Sequence, residues 1–163
     1  MANPGLITTI VIFGGSGDLT WRKLVPALYN NFLKGRLTDC THIIGFARRP
    51  YTDDEFRNHL KEGVTSFSAE TFQESTWTEF SNRITYFHGD LQILADHSRL
   101  KDAMATLEKG PANRLYYLAT APEFYRPAIE NLGATGLAVQ SQGWRDFLAG
   151  NGSVEKGTFP VIG

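Results

Sequence analysis

Short apolar runs alternate along this chain with longer segments whose apolar residues have helical spacing. The runs at residues 7–13 and 42–47 contain too few polar positions for half-exposed strands and therefore predict buried ones, and two further strands are predicted at 83–88 and 113–120. Helices are predicted at residues 18–34, from 52 to about 67, at 69–82, 95–108 and 122–132. This alternation is typical of parallel strands joined by crossover helices. It predicts a doubly wound α/β domain, a parallel sheet with helices on both faces.

Local signals refine these helices. Pro26 disfavours helical geometry at Val25, so we expect a break there, with Pro26 opening a second helical piece. Thr52 and Glu55 are spaced as a capping box. The predicted apolar stripes, helix by helix, are Leu24, Leu28 and Phe32; Phe56, Leu60, Val64 and Phe67; Leu100, Met104 and Leu107; and Phe124, Ile129 and Leu132. Three histidines are expected at the surface or at strand ends: His42, His59 and His97.

Composition narrows the class of protein. With 163 residues, 42% apolar and 20% charged, the chain has the size and balance of one globular domain. A net charge of −1 gives no electrostatic reason to bind nucleic acid or an anionic membrane, and no apolar run is long enough to predict a membrane span. The single cysteine, Cys40, excludes an internal disulfide framework and a Cys-rich metal site. A reducing, cytoplasmic setting is therefore expected.

A cluster of glycines separates the first predicted strand from the first helix. In a parallel sheet this loop points at the groove where ligands bind, and a helix N-terminus there suits a phosphate. Gly14, Gly15 and Gly17 allow a close approach of the backbone, and the Ser16 hydroxyl adds a donor. The spacing departs from the usual dinucleotide fingerprint because Thr20 stands where a third glycine would be. A glycine-rich turn that only connects strand and helix is the alternative.

Four segments in series resemble glucose-6-phosphate dehydrogenases. The segments are "VIFGGSGDLTWRKLVPALYN" at 11–30, "IIGFAR" at 43–48, "YFHGD" at 86–90 and "NRLYYLATAPEFY" at 113–125. Their order and spacing match the coenzyme-binding domain of that family from residue 5 to about 144. The resemblance implies a Rossmann-like NADP-binding domain over residues 1–144, followed by a tail, residues 145–163, that departs from the family pattern.

The resemblance also implies roles for individual residues. Those of the pyrophosphate loop are Gly14, Gly15, Ser16, Gly17, Asp18 and Leu19; those near the adenine are Asp90 and Leu91; those on the nicotinamide side are Ala121, Pro122 and Tyr125. Arg48 is implied to grip the 2′-phosphate of NADP, and Lys23 to border the sugar-phosphate pocket. Structural roles stay open at this point: a solvated arginine, a helix cap at Asp18, a solvated helix lysine, and a core or surface tyrosine.

The family's reacting groups have no counterpart in this sequence. A lysine is expected soon after Gly143-Trp144, but Glu155-Lys156 lies about five residues too far along, so Lys156 is not assigned as catalytic. The family's Arg-Ile-Asp-His-Tyr segment and its glucose 6-phosphate domain are not found. No catalytic residue is therefore assigned. We expect this chain to bind NADP without turnover, and glucose 6-phosphate to bind only with the second domain.

Two other classes of protein are alternatives to this interpretation. A short-chain dehydrogenase requires a Tyr-x-x-x-Lys pair, and none of the tyrosines has a lysine four residues on. A stand-alone NADP sensor or interaction module would use the same binding residues and stays open. The uncovered edge of the sheet beyond the fourth strand also predicts self-association or poor solubility at low salt, which a monomer in sedimentation at high concentration would contradict.

Overall fold

A parallel sheet forms the centre of the fold. The computed structural model describes residues 6–139, and the strands within this range are β1 (Ile7–Phe13), β2 (Thr41–Ala47), β3 (Ile84–His88) and β4 (Ala112–Leu118). All neighbouring strands are parallel, and their order is β3-β2-β1-β4. The strand order therefore reverses direction between β1 and β4, which opens a crevice at the carboxyl ends of these strands.

Helices cover both faces of the sheet, as the sequence pattern predicted. In the described part of the chain they are α1 (Val25–Leu33), α2 (Asp53–Phe67), α3 (Glu74–Ser81), α4 (Leu94–Glu108) and α5 (Tyr125–Ala134). Ile10 and Ile12 of β1 pack with α1, α2 and α3, whereas Val11 and Phe13 pack with α4 and α5. Because β1 is buried on both sides, four apolar residues follow one another at 10–13 instead of alternating with polar ones. None of the helices within residues 6–139 combines the length and apolar character needed to cross a bilayer.

The predicted break at Val25 is wrong. Val25 has helical geometry (φ −70°, ψ −40°), and its N–H bonds to the carbonyl of Thr20 in a π-helical turn, Thr20–Leu24, that runs directly into α1. A proline ring breaks a helix by pressing on the carbonyl four residues before it, and the wider π turn relieves that contact. The chain therefore enters α1 without a break, although Pro26 does lie in the first turn of this second helical piece, as predicted.

The structure confirms one of the other local predictions and contradicts several. The capping box is present, because the N–H of Glu55 donates to Thr52 Oγ1 at 3.2 Å and the N–H of Thr52 donates to Glu55 Oε2 at 2.8 Å. The prediction that His97 lies at the surface is wrong, because its side chain is fully buried. Phe67 and Ile129, predicted to face the core, are 49% and 59% exposed. Helix α3 starts at Glu74 rather than at 69.

Candidate functional site

A cleft of about 600 Å³ lies at the carboxyl ends of the strands, where parallel α/β sheets bind their ligands. It is bounded by the loops that follow β1, β2, β3 and β4. The residues that line it are Gly14, Ser16, Gly17, Phe46, Ala47, Arg48, Arg49, Gly89, Asp90, Leu91, Thr120, Ala121 and Phe124. All four strand ends therefore contribute to one site.

The glycine loop after β1 presents bare backbone to this cleft. Gly14 has a φ of +82°, which favours glycine, and a Cβ there would collide with the carbonyl oxygen of Ala119. A Cβ on Gly15 would lie 2.7 Å from the Cα of Gly45, so the loop also packs directly on β2. The helix begins at once after the loop, and the leading N–H groups of a helix have no partner within it. The arrangement can hold an anion such as a phosphate.

Thr20 explains the departure from the dinucleotide fingerprint. Its hydroxyl donates to the carbonyl of Gly14 at 3.1 Å, and the N–H of Gly17 donates to the same carbonyl at 2.9 Å. The Thr20 side chain is fully buried beneath the loop. A threonine in place of the third glycine therefore ties the loop to the first turn of the helix through a side-chain hydrogen bond.

Two arginines follow β2 at the edge of the cleft. Both are exposed and both line it. The Arg49 guanidinium donates to the Tyr51 hydroxyl at 3.4 Å, and this hydrogen bond raises the pKa of Arg49. None of the ion pairs among residues 6–139 includes Arg48. Its charge is thus available to an anionic ligand.

The loop after β3 is fixed by three side chains that the sequence analysis did not assign to the site. The N–H of Asp90 donates to Asp96 Oδ2 at 2.7 Å, and this bond lowers the pKa of Asp96. The carbonyl of Leu91 accepts from His97 Nε2 at 2.8 Å and from Asn131 Nδ2 at 3.0 Å. Helices α4 and α5 therefore hold the two cleft residues, Asp90 and Leu91, from behind.

His97 is held as a neutral side chain in an apolar environment. Its ring lies 5.6 Å from the ring of Phe13 and 5.9 Å from that of Phe46, and burial lowers its pKa. Because the carbonyl of Leu91 can only accept, Nε2 carries the proton. Nδ1 is buried and has no hydrogen-bond partner among the described residues. A second proton on the ring would therefore place an unpaired charge in the core.

We expect the domain to lose stability in mild acid because of His97. Its pKa is lowered from 6.5 in the folded state, so the unfolded chain binds a proton first and stability falls as pH drops below 6.5. Between about pH 7.5 and about pH 5.5 this loss amounts to as much as about 1.4 kcal/mol. Thermal unfolding at the two pH values measures it.

His97→Gln is the variant for this test, because glutamine still offers an N–H to Leu91 and does not titrate. Its loss of melting temperature between the two pH values should be smaller than that of the unmodified chain. The exposed His88 provides the control, and His88→Gln should behave like the unmodified chain. Equal acid sensitivity of all three would contradict the assignment to His97.

Sequence comparison identifies the family. Residues 11–148 match the family described as "Glucose-6-phosphate dehydrogenase, NAD binding domain". The chain belongs to this family. It is 38% identical over 136 residues to glucose-6-phosphate 1-dehydrogenase of Chlamydia pneumoniae, covering 82% of this chain and 27% of the relative. The resemblance inferred from the four segments is confirmed.

Solved structures of glucose-6-phosphate dehydrogenases share the fold. The enzyme from Mycobacterium avium matches with a TM-score of 0.71 and 29% identity, over 81% of this chain and 28% of that one. A glucose-6-phosphate dehydrogenase in complex with its substrate glucose-6-phosphate matches with a TM-score of 0.75 and 26% identity, over 87% of this chain and 30% of that one. The chain thus spans less than a third of the length of these relatives.

Resemblance to glucose-6-phosphate dehydrogenases implied thirteen site residues, and seven of them line the cleft: Gly14, Ser16, Gly17, Arg48, Asp90, Leu91 and Ala121. The other six lie outside the lining: Gly15, Asp18, Leu19, Lys23, Pro122 and Tyr125. Gly15 packs against Gly45 of β2, and Asp18 pairs with Arg22 at 3.2 Å. Leu19 and Tyr125 are 44% and 39% exposed, and Lys23 is also exposed.

Six lining residues were missed as site residues by the sequence analysis: Phe46, Ala47, Arg49, Gly89, Thr120 and Phe124. Each stands within three residues of a predicted one, at or just beyond a strand end. The position of the strand ends was the available signal. Lys156, already set aside as a catalytic candidate, lies outside the described residues.

Proposed function

We propose that this chain is the NADP-binding domain of a glucose-6-phosphate 1-dehydrogenase. The observation that carries the choice of coenzyme is the end of β2. Enzymes that prefer NAD place an acid there for the ribose 2′-hydroxyl, whereas an arginine suits the 2′-phosphate of NADP. Here Arg48 and Arg49 line the cleft, and the next acid along the chain, Asp53, accepts the N–H of Tyr86 at 2.7 Å. Asp53 is therefore occupied by the backbone of β3.

The residues present fit a dinucleotide. A Cβ on Gly14 would collide with Ala119, so this position keeps the loop backbone bare, and the helix N-terminus behind it suits a pyrophosphate. Arg48 would take the 2′-phosphate, and Asp90 and Leu91 would lie beside the adenine. We also propose that the coenzyme has four further neighbours, which are Asp18, Leu19, Pro122 and Tyr125, and that Lys23 lies next to the substrate.

Bound NADP supplies the hydride acceptor for oxidation of a sugar hydroxyl. The proposed reaction of the whole enzyme is oxidation of glucose 6-phosphate to its lactone in the oxidative pentose phosphate pathway. This chain's own residues bind and orient the coenzyme for it. The sequence holds no match to the family's histidine base, so no residue of residues 1–163 is proposed to take the substrate proton.

Calorimetric titration with NADP and NAD, run beside an assay for NADPH formation with glucose 6-phosphate, tests the proposal. We expect saturable heat with NADP, weaker binding of NAD, and no turnover by the 163-residue chain. Equal affinities would contradict the choice of coenzyme, and no binding of either coenzyme would contradict the function. Rapid NADPH formation would show that the chain is a complete catalyst rather than a binding domain. Binding of NADP without turnover is also the result expected for an NADP sensor.

Three further parts of the proposal concern the domain boundary, the setting and assembly. The NADP-binding domain is proposed to end near residue 144, with residues 145–163 as a tail; the family match ends at 148. The single cysteine supports a cytoplasmic setting. Self-association is supported by β4, which pairs only with β1 among residues 6–139 and whose Tyr117 is 41% exposed.

A further inference from the structure

Tyr86 of β3 lies behind the arginines of the cleft without lining it. Its ring packs on Phe56 with centroids 4.7 Å apart and meets the ring of Tyr51 edge-on at 5.5 Å. Its hydroxyl lies 3.1 Å from the carbonyl oxygen of Ala47 and also bonds to the carbonyl of Arg49. One phenol thus contacts the backbone on both sides of Arg48.

The same segment is attached to β3 at a second point. The N–H of Tyr86 donates to Asp53 Oδ1 at 2.7 Å, and Asp53 is the first residue of α2. The loop that carries Arg48 is therefore tied to β3 through its own carbonyls and through Asp53, which directly follows the N-cap residue Thr52. The Arg48 side chain has no ion pair among residues 6–139, so only its backbone is held.

We propose that Tyr86 is a positioning residue for recognition of the coenzyme's 2′-phosphate, and that its hydroxyl fixes the backbone around Arg48 so that the guanidinium faces the cleft before the ligand arrives. The inference rests on the proposed function. A pre-ordered backbone at Arg48 gives tighter binding because less conformational entropy is lost when the phosphate docks. NAD lacks that phosphate and should gain nothing from the hydroxyl.

The protonation state of the phenol supports this role. Burial raises the pKa of Tyr86 to about 12, although the Ser16 side chain acts in the opposite direction. The hydroxyl therefore stays protonated throughout the neutral range, and its single proton is shared between the two carbonyl acceptors.

Tyr86→Phe removes the hydroxyl and keeps the ring. We expect NADP affinity to fall by about 3- to 10-fold while NAD affinity stays unchanged, as measured by calorimetric titration. Retained NAD binding shows in the same experiment that the cleft is folded. Tyr116→Phe is the matched control, because burial also raises the pKa of Tyr116 to about 12 and its hydroxyl donates to the carbonyl of Leu137 at 2.8 Å, away from the arginines.

A double variant separates positioning from general packing. If Tyr86 acts through Arg48, adding Tyr86→Phe to Arg48→Ala should leave the ratio of NADP to NAD affinity unchanged. Equal losses for NADP and NAD in Tyr86→Phe, or no loss for either, would overturn the inference while the proposed function stands. An unmodified chain that binds both coenzymes equally would contradict the proposed function, and the inference with it.

Discussion

Replacing Gly14 by alanine should remove coenzyme binding and destabilise the domain. An alanine at a φ of +82° costs about 1–2 kcal/mol, and its Cβ would collide with the carbonyl oxygen of Ala119. That carbonyl cannot move freely, since the N–H of Ala119 donates to the carbonyl of Phe13 at 2.8 Å. We expect the free energy of unfolding to fall by about 2–4 kcal/mol. NADP affinity should fall by about 100-fold or more as the loop leaves the phosphate.

Gly35→Ala is the control that separates the effect of the Cβ collision at Gly14 from the effect of a positive φ. Gly35 also has a positive φ, +65°, but nothing lies within 4 Å of a Cβ built there. This variant should lose about 1–2 kcal/mol and bind NADP normally. Denaturant unfolding and calorimetric titration of both variants decide the matter. If the two variants lost equal stability and Gly14→Ala bound NADP normally, the loop would tolerate a side chain at position 14 and would not contact the phosphate.

The elements that the sequence predicted best are those decided by neighbours in the chain. The first strand was predicted at residues 7–13 and is Ile7–Phe13, because a strand buried on both faces carries few polar residues, here only Thr8 and Thr9. The capping box at Thr52 was equally local. The break at Val25 failed because the rule about proline describes an α turn, whereas the chain here adopts a wider one. A single turn of different pitch cannot be seen in apolar spacing.

The candidate site shows the same division. The glycine loop could be predicted because its chemistry is contiguous, and Arg48 because it ends a recognisable strand. The side chains that hold the cleft from behind could not, since they act across the fold: Asn131 reaches the carbonyl of Leu91 across 40 residues, and Tyr86 reaches that of Ala47 across 39. His97 was predicted to lie at the surface or at a strand end. Its packing between Phe13 and Phe46 depends on how the strands pair.

Arg48→Ala should remove most of the preference for NADP. A guanidinium binds phosphate through charge-assisted hydrogen bonds worth about 1.5–3 kcal/mol, or roughly 10- to 150-fold in affinity. NADP should therefore bind more tightly than NAD to the unmodified chain by about that factor. The variant should lower NADP affinity nearly to that of NAD and leave NAD binding almost unchanged. Calorimetric titration of both coenzymes measures all four constants.

Arg49→Ala is the matched control for that experiment. Its side chain has the same charge and lines the same cleft, but its guanidinium already donates to the Tyr51 hydroxyl. Removing Arg49 should thus weaken NADP binding less than removing Arg48 does. High salt should reduce the difference in NADP affinity between the two variants only slightly. A direct contact between Arg48 and the phosphate is screened less than an attraction between distant charges. If the two variants lost NADP affinity equally, the 2′-phosphate would be recognised by the charge of the pair rather than by Arg48.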